Sequence, residues 1–545
     1  MTAGAPTTID PVTLEIVWTR IGSMVDEAAK VIARTAFSTL SNEANDFACV
    51  LTDARGNSLA ENTGSIPSFI ATLPATVRHM IAGIGVERMR PGDVLVTNNP
   101  WQGTGHLNDV CLVRPIFREG RLVAFGASTS HVPDIGGKIR SIEPKELFEE
   151  GFHIPLMHLL RAGEPDESLL TLLRTNVRTP DQTVGDIFAQ VGALDLLERR
   201  LGEMMADYGL ASLEAIADAL FARAEAAMRK AIAALPDGTW RYEMTTDGLD
   251  EPFTIKVAVT VAGSDIAIDY AGTSPQQPRA VNTVWAYTYA MSAYAVKCLL
   301  LPNLPNNAGM FRSLTVTAPE GSLVNPRFPA SCGGRASVGH YLPVAIFAAM
   351  EEAVPDRVMA GAGSPLWILT QTGIRDNGMT YANVLFFNGG MGALREKDGE
   401  SCLSWPSNIS STPVEVAERN SPLVFRHKRL RPGSGGAGRH RGGLGQEILM
   451  ENRSETPIAV GFITERTRFP APGLAGGGPG GLGRVEINGK PVDNRLQHTL
   501  VKGDSILMAT PGGGGYGDPR ARPHALAERD RALGYIEEAP VQSPR

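Results

Sequence analysis

The placing of the glycines constrains this chain more than any other feature. Many of the 59 fall in three C-terminal runs, Pro432–Gly445, Pro470–Gly483 and Pro511–Gly517. Helix is disfavoured there, because interior glycine costs ~1 kcal/mol and proline ~3 kcal/mol relative to alanine. Beyond Ser421 the pattern predicts short strands separated by Gly/Pro turns, with no long helix before Ala525–Gly534. Tight β-turns and close backbone approach account for the glycines. Phosphate loops do not. That chemistry needs G-x-x-x-x-G-K-[ST], yet Gly489-Lys490 is followed by Pro491, and Gly137-Lys138 by Ile139.

Upstream the pattern is different. Pro11–Ala36 predicts a helix capped by Asp10, with Val17, Ile21, Met24, Ala28 and Ile32 on one apolar face. Phe47–Leu51 and Val94–Thr97 read as strands, and Asp166–Leu173, Pro180–Tyr208 and Leu213–Leu235 as helices. After Thr239 come the strands Arg241–Met244, Phe253–Val261 and Asp265–Tyr270, then the apolar helices Trp285–Leu301 and Pro343–Ala353. The expected fold class is mixed α/β (α+β) in three regions. Residues 1–236 form an N-terminal α/β part, 237–420 a middle α+β part, and 421–545 a β-rich, Gly-rich part.

With 43 % hydrophobic and 20 % charged residues the composition is that of a globular chain, which excludes disorder. A net charge of −7 without a basic run argues against nucleic acid and against a polybasic membrane anchor. Met1–Asp10 has neither a charged n-region nor an apolar h-region, and no apolar run approaches the ~20 residues that span a bilayer. Cys49, Cys111, Cys298, Cys332 and Cys402 are scattered, with no C-x-x-C. A reducing, cytoplasmic location is the expectation.

Two stretches are dense in polar groups. Asn98–Asp109 supplies His106 and Asp109; Ser128–Gly137 supplies His131 and Asp134. Between them, Val110–Phe117 and Arg121–Ser128 are β-prone and flank Arg118-Glu119-Gly120, a three-residue hairpin loop with glycine last. That loop pairs Phe117 with Arg121, sets Asp109 opposite Thr129 and sets Leu107 opposite His131. Asp109 and His131 become diagonal neighbours, within about 7–8 Å. His106 and Asp134 lie just past the strand ends. Two neutral imidazoles with carboxylate oxygen suit Zn, Mn or Fe and leave positions for water or substrate. One histidine at a strand end is usually structural; two joined with carboxylates on one hairpin point to a metal. On spacing alone Asp46 reads as a cap or turn residue. His153, ahead of Ile154-Pro155, lines the pocket or serves a core or capping role. Arg439, His440 and Arg441 read as a solvated basic cluster, and Cys332 as a small buried residue rather than a nucleophile.

These residues resemble the hydantoinase B/oxoprolinase family. The motifs are Asn45-Asp46-Phe47, Asn98-Asn99-Pro100-Trp101 leading to His106 and Asp109, and Ser130-His131-Val132-Pro133-Asp134-Ile135-Gly136-Gly137. Glu150-Gly151-Phe152-His153-Ile154-Pro155, Ser434–Gly445 and Thr510–Pro519 continue the match in the same order. The resemblance implies metal ligands at Asp46, His106, Asp109 and His131, with one divalent ion, Zn or Mn. Asp134 would orient a ligand or move a proton. It implies a hydantoinase A-type partner that binds ATP-Mg and phosphorylates a small cyclic amide, which this chain then helps to open in a hetero-oligomer. A ketone carboxylase subunit and a metal-stabilised scaffold are the rival expectations. One departure concerns Ser65–Ala71, where the family pattern suggests a histidine and Phe69 sits near that place.

Overall fold

A computed structural model of the chain describes residues 10–363, 365–375 and 377–536. The chain is a mixture of helices and several separate sheets. Met1–Asp10, read from sequence as lacking a leader, lies outside the described residues except for Asp10.

The first sheet carries the polar hairpin. Its strands are β1 (Phe47–Asp53), β2 (Ser58–Glu61), β3 (Val94–Thr97), β4 (Asp109–Arg118), β5 (Arg121–His131), β6 (Met157–Arg161) and β7 (Glu164–Pro165), in the order β2-β1-β5-β4-β3-β6-β7. β1 is buried along its whole length and alternates between two cores. Phe47, Cys49 and Leu51 pack with the helices Pro11–Thr35 and Pro180–Asp207, whereas Ala48 and Val50 pack with the helix Thr72–Ile84. Each fully buried leucine or isoleucine in these layers contributes ~1.5–3 kcal/mol. The first helix begins where its sequence predicts. The Asp10 side chain accepts from Thr13 N at 2.9 Å, and Val17, Ile21, Met24, Ala28 and Ile32 are all buried.

The hairpin corrects the expected register. Glu119 and Gly120 both take positive φ, 49° and 78°, so the loop has two residues and Arg118 opposes Arg121. A bulge between Ile116 and Phe117 adds one more residue to β5. Asp109 therefore lies directly opposite His131 rather than Thr129. The total slip is two residues, which keeps each side chain on its expected face.

The second sheet joins Gly238–Thr246, Phe253–Ala262 and Asp265–Asp269 antiparallel, with Leu314–Thr317 added parallel. The third takes Trp367–Ile374 and Thr380–Phe387 from one side of residue 420 and Ile458–Ile463 and His498–Leu500 from the other. The fourth is built wholly from C-terminal strands.

The glycine runs interlock beside these last two sheets, and close approach explains them better than turns do. A Cβ on Gly512 would lie 1.7 Å from Ser434 O, and one on Gly442 1.9 Å from Gly513 O. Backbone bonds tie the runs together, among them Gly436 N to Gly513 O at 2.8 Å and Gly515 N to Gly478 O at 2.9 Å. Arg441 and His440 are buried within this net rather than solvated. The Arg441 side chain pairs with Asp530 at 3.3 Å, and its backbone N–H donates to Asp398 at 2.7 Å. No described helix is long and apolar enough to cross a membrane.

Candidate metal centre

β4 begins at Asp109 and β5 ends at His131, so hairpin pairing alone sets these side chains against each other. His131 Nδ1 is 3.2 Å from Asp109 Oδ1. The loop before β4 folds His106 back over the same point, with its Nε2 2.8 Å from Asp109 Oδ1. The two imidazole rings are 4.9 Å apart, centre to centre. Asp46 leads into β1 on the other side of β5. Its carbonyl accepts the His131 N–H at 3.0 Å, and its Oδ2 is 3.7 Å from His131 Nδ1. All four residues are buried, at 5 % exposure or less.

The arrangement fits a shared cation. His106 Nε2 is close to Asp109 Oδ1, yet it is buried with no aligned hydrogen bond. Two donors aimed at a common point behave this way: ions bound at ~2.0–2.2 Å hold neighbouring ligand atoms about 3 Å apart. The far side of each donor is occupied. His106 Nδ1 lies 3.2 Å from Gly333 O, which leaves Nε2 for the centre. Asp109 Oδ2 takes Thr104 Oγ1 and Arg335 Nη2, both at 2.6 Å, which leaves Oδ1. His131 Nε2 accepts from Arg140 Nη1 at 3.3 Å, so without an ion the ring proton sits on Nδ1, toward Asp109 Oδ1. His106, Asp109 and His131 form a group able to hold a metal ion; Asp46 stands beside them.

The electrostatics suit ligand chemistry. Burial, followed by the charge of Arg140, depresses His131 to about 4, and burial and Arg335 push His106 well below its usual value. Both rings are therefore neutral at neutral pH, the form in which an imidazole can ligate an ion. Burial opposes ionisation of Asp109, but His106 and the Arg335 guanidinium hold it well below the carboxylate range. Asp46 is lifted to about 7 by burial and then by the charge of Asp109.

That contrast gives a pH prediction. In the metal-free chain Asp46 has a folded pKa above its unfolded value. Its contribution to stability is full at low pH and is lost as pH rises through about 7. A divalent ion favours the carboxylate, so uptake must displace the proton. Calorimetric titration with Zn²⁺ in buffers of different ionisation enthalpy should show about one proton released per ion near pH 6 and almost none near pH 8. Proton release that is the same at both values contradicts an Asp46 at the centre.

The remaining sequence-derived candidates stand elsewhere. The Asp134 carboxylate is held by Arg178, through Nη1 at 2.6 Å and through the backbone N–H. It braces its own loop and does not contact a ligand imidazole. His153 is half-buried, with Nε2 lacking a partner and its pKa lowered by burial. It follows Phe152, whose carbonyl accepts from Asn98 at 2.9 Å and so steadies the start of the histidine loop. Cys332 is buried and its thiol is raised well above the usual range, first by burial and then by Glu150, which suits a packing residue.

The chain matches the Hydantoinase B/oxoprolinase family profile over residues 10–519. It belongs to the hydantoinase B/oxoprolinase family. Caprolactamase subunit beta of Pseudomonas jessenii is 29 % identical over 97 % of this chain and 94 % of its own length. The crystal structure of the ATP-dependent caprolactamase from Pseudomonas jessenii superposes with a TM-score of 0.85 at 27 % identity, covering 97 % of this chain and 95 % of that one. An acetone carboxylase in nucleotide-free form superposes with a TM-score of 0.89 at 19 % identity, over 97 % and 78 % of the two chains, which speaks to fold alone.

For this hydantoinase B-type chain, three residues beside the centre escape the sequence reading: Arg335, Arg140 and Tyr287. The Arg335 guanidinium lies 4.8 Å over the Tyr287 ring, and Ser68 neighbours the Tyr287 hydroxyl. Ser68 adjoins Phe69, so the segment that departs from the family pattern packs against the support of the centre. Only the run Ser331-Cys332-Gly333-Gly334-Arg335 could have signalled Arg335, and there the cysteine draws attention first.

Proposed function

We propose that this chain is the metal-holding catalytic subunit of an ATP-dependent cyclic amidohydrolase. It would open a ring amide that an A-type partner has phosphorylated with ATP-Mg. The convergence of His106 Nε2, Asp109 Oδ1 and His131 Nδ1 carries the reading, in a chain whose relative is named as a caprolactamase subunit. Asp46, His106, Asp109 and His131 would hold one Zn²⁺ or Mn²⁺. Such an ion polarises a carbonyl and lowers the pKa of bound water.

The protein's own residues do the rest. Arg335 and Thr104 keep Asp109 ionised and fixed. Arg140 is half-buried, with no carboxylate within ion-pair distance among the described residues. Its contacts are His131 at 3.3 Å and Gly333 O at 3.4 Å. It can therefore take a phosphoryl oxygen of the activated substrate beside His131. The buried walls exclude bulk water, which protects an activated carbonyl from premature hydrolysis.

The test is ring opening of ε-caprolactam, 5-oxoproline and hydantoin by the purified chain, with and without the A-type partner, ATP and Mn²⁺ or Zn²⁺. Product should need all components. Turnover without ATP or partner contradicts the scheme. The likeness to acetone carboxylase keeps a ketone carboxylase as the second reading, and strict dependence on bicarbonate would select it.

A further inference from the structure

The run Ser331–Arg335 reaches the centre from far along the chain, and one buried carboxylate pins it there. Glu150 is 7 % exposed. Its Oε1 accepts from Ser331 Oγ, from Cys332 N at 2.5 Å and from Gly333 N at 2.8 Å. Gly333 thus donates its N–H to Glu150 and offers its carbonyl to His106 Nδ1 at 3.2 Å and to Arg140 at 3.4 Å. Two residues on, Arg335 Nη2 meets Asp109 Oδ2 at 2.6 Å. The outer contacts of one imidazole and of the central carboxylate therefore both hang from the run that Glu150 clasps.

We propose that Glu150 is the positioning residue of the metal centre, acting through Gly333 on His106 and through Arg335 on Asp109. This rests on the metal-centre reading above. A loop alone would not fix these angles. Gly333 and Gly334 have no side chains to pack, so three hydrogen bonds to one carboxylate oxygen supply the order. Partners that orient ligating imidazoles typically account for 10–100-fold in metal affinity.

The other oxygen shows how the residue tolerates change. Oε2 is buried without a protein partner, and Glu150 lines a crevice of about 20 Å³ together with Thr370, whose Oγ1 is likewise unpartnered. A glutamine there keeps one accepting oxygen for the three donors. An alanine leaves three donors without an acceptor.

The test is Zn²⁺ and Mn²⁺ affinity of the full chain, measured by competition with a chelator, alongside thermal unfolding of the metal-free protein. Glu150→Ala should bind on the order of 10–100-fold more weakly, and Glu150→Gln should recover most of that loss. A folded Glu150→Ala with wild-type affinity overturns the inference. So does Glu150→Gln as weak as Glu150→Ala. Should Glu150→Ala fail to fold, Glu150→Asp decides, since one methylene less cannot reach all three donors: tenfold weaker binding supports the role and unchanged binding overturns it. A wild-type chain that takes up no ion sinks the metal reading itself, a different result from metal uptake indifferent to Glu150.

Discussion

Replacing His106 with alanine should abolish metal uptake by the chain and reduce ring opening by the assembled complex at least ~10³-fold, since Lewis-acid stabilisation is worth several kcal/mol and each 1.36 kcal/mol is tenfold. His106 offers Nε2 to the centre and is fixed from behind by Gly333 O at 3.2 Å. No nearby side chain replaces it, because His131 already points Nδ1 inward and Asp109 has one oxygen committed to Arg335 and Thr104. The histidine is an outward branch of a loop whose backbone is held separately. Asn98 Nδ2 donates to Leu107 O at 2.8 Å, and Val132 N donates to Asn108 O at 2.9 Å. The variant should therefore fold and still join its partner. His498→Ala makes a suitable control, because that ring is half-buried and, among the described residues, hydrogen-bonds to Asp493 O alone, at 2.8 Å. Metal content and kcat/KM are the measurements. One bound ion and wild-type kcat/KM in His106→Ala would remove this site from the reaction.

The same centre separates what local sequence can and cannot reveal. Asp109 and His131 are legible because a hairpin is a local object: two β-prone runs and a short loop bring residues 22 apart into one pair. The expected loop is one residue too long and the bulge leaves no sequence signal, yet these two errors add to an even slip and the face survives. Asp46 is weaker on spacing, because its nearness depends on β1 choosing β5 as a neighbour, which no local pattern encodes. Arg335 and Gly333 are invisible for the same reason, since they meet Asp109 and His106 across more than 220 residues. Helices with clear apolar stripes match expectation closely: Pro11–Thr35 with its Asp10 cap, and Pro180–Asp207, although Thr179 makes no capping hydrogen bond there. The helix Thr72–Ile84 does not, because it starts from a left-handed Ala71 and carries Pro74 in its first turn, with no capping side chain to announce it. Composition draws a border at residue 420, but the third sheet takes strands from both sides of it. Strand pairing follows buried faces, and a local change in glycine content does not register them.

Gly390→Ala should be among the most damaging small substitutions away from the metal. An added Cβ would lie 1.8 Å from Gly443 O, 2.3 Å from Gly443 C and 2.7 Å from Gly513 N. All three are backbone atoms, so no rotamer change relieves the clash. Moving Gly443 would disturb its bond to Met391 O at 2.8 Å and the bond Gly513 N makes to Gly443 O at 3.0 Å. Gly390 itself bonds to Pro511 O at 3.0 Å, so each retreat breaks a link between segments that have no side chains to hold them otherwise. Overpacking a close-fitting core costs ~1–3 kcal/mol, and a clash confined to backbone belongs at or above the top of that range. Gly202→Ala supplies the opposite sign. Gly202 lies inside the helix Pro180–Asp207, and a methyl added there meets nothing within 4 Å, so alanine should stabilise by ~0.5–1 kcal/mol. Thermal unfolding of the two variants side by side tests the net directly. If Gly390→Ala unfolds at the wild-type temperature, the glycine runs are not held by close backbone contact, and the reason this chain concentrates glycine there must be sought in turn geometry instead.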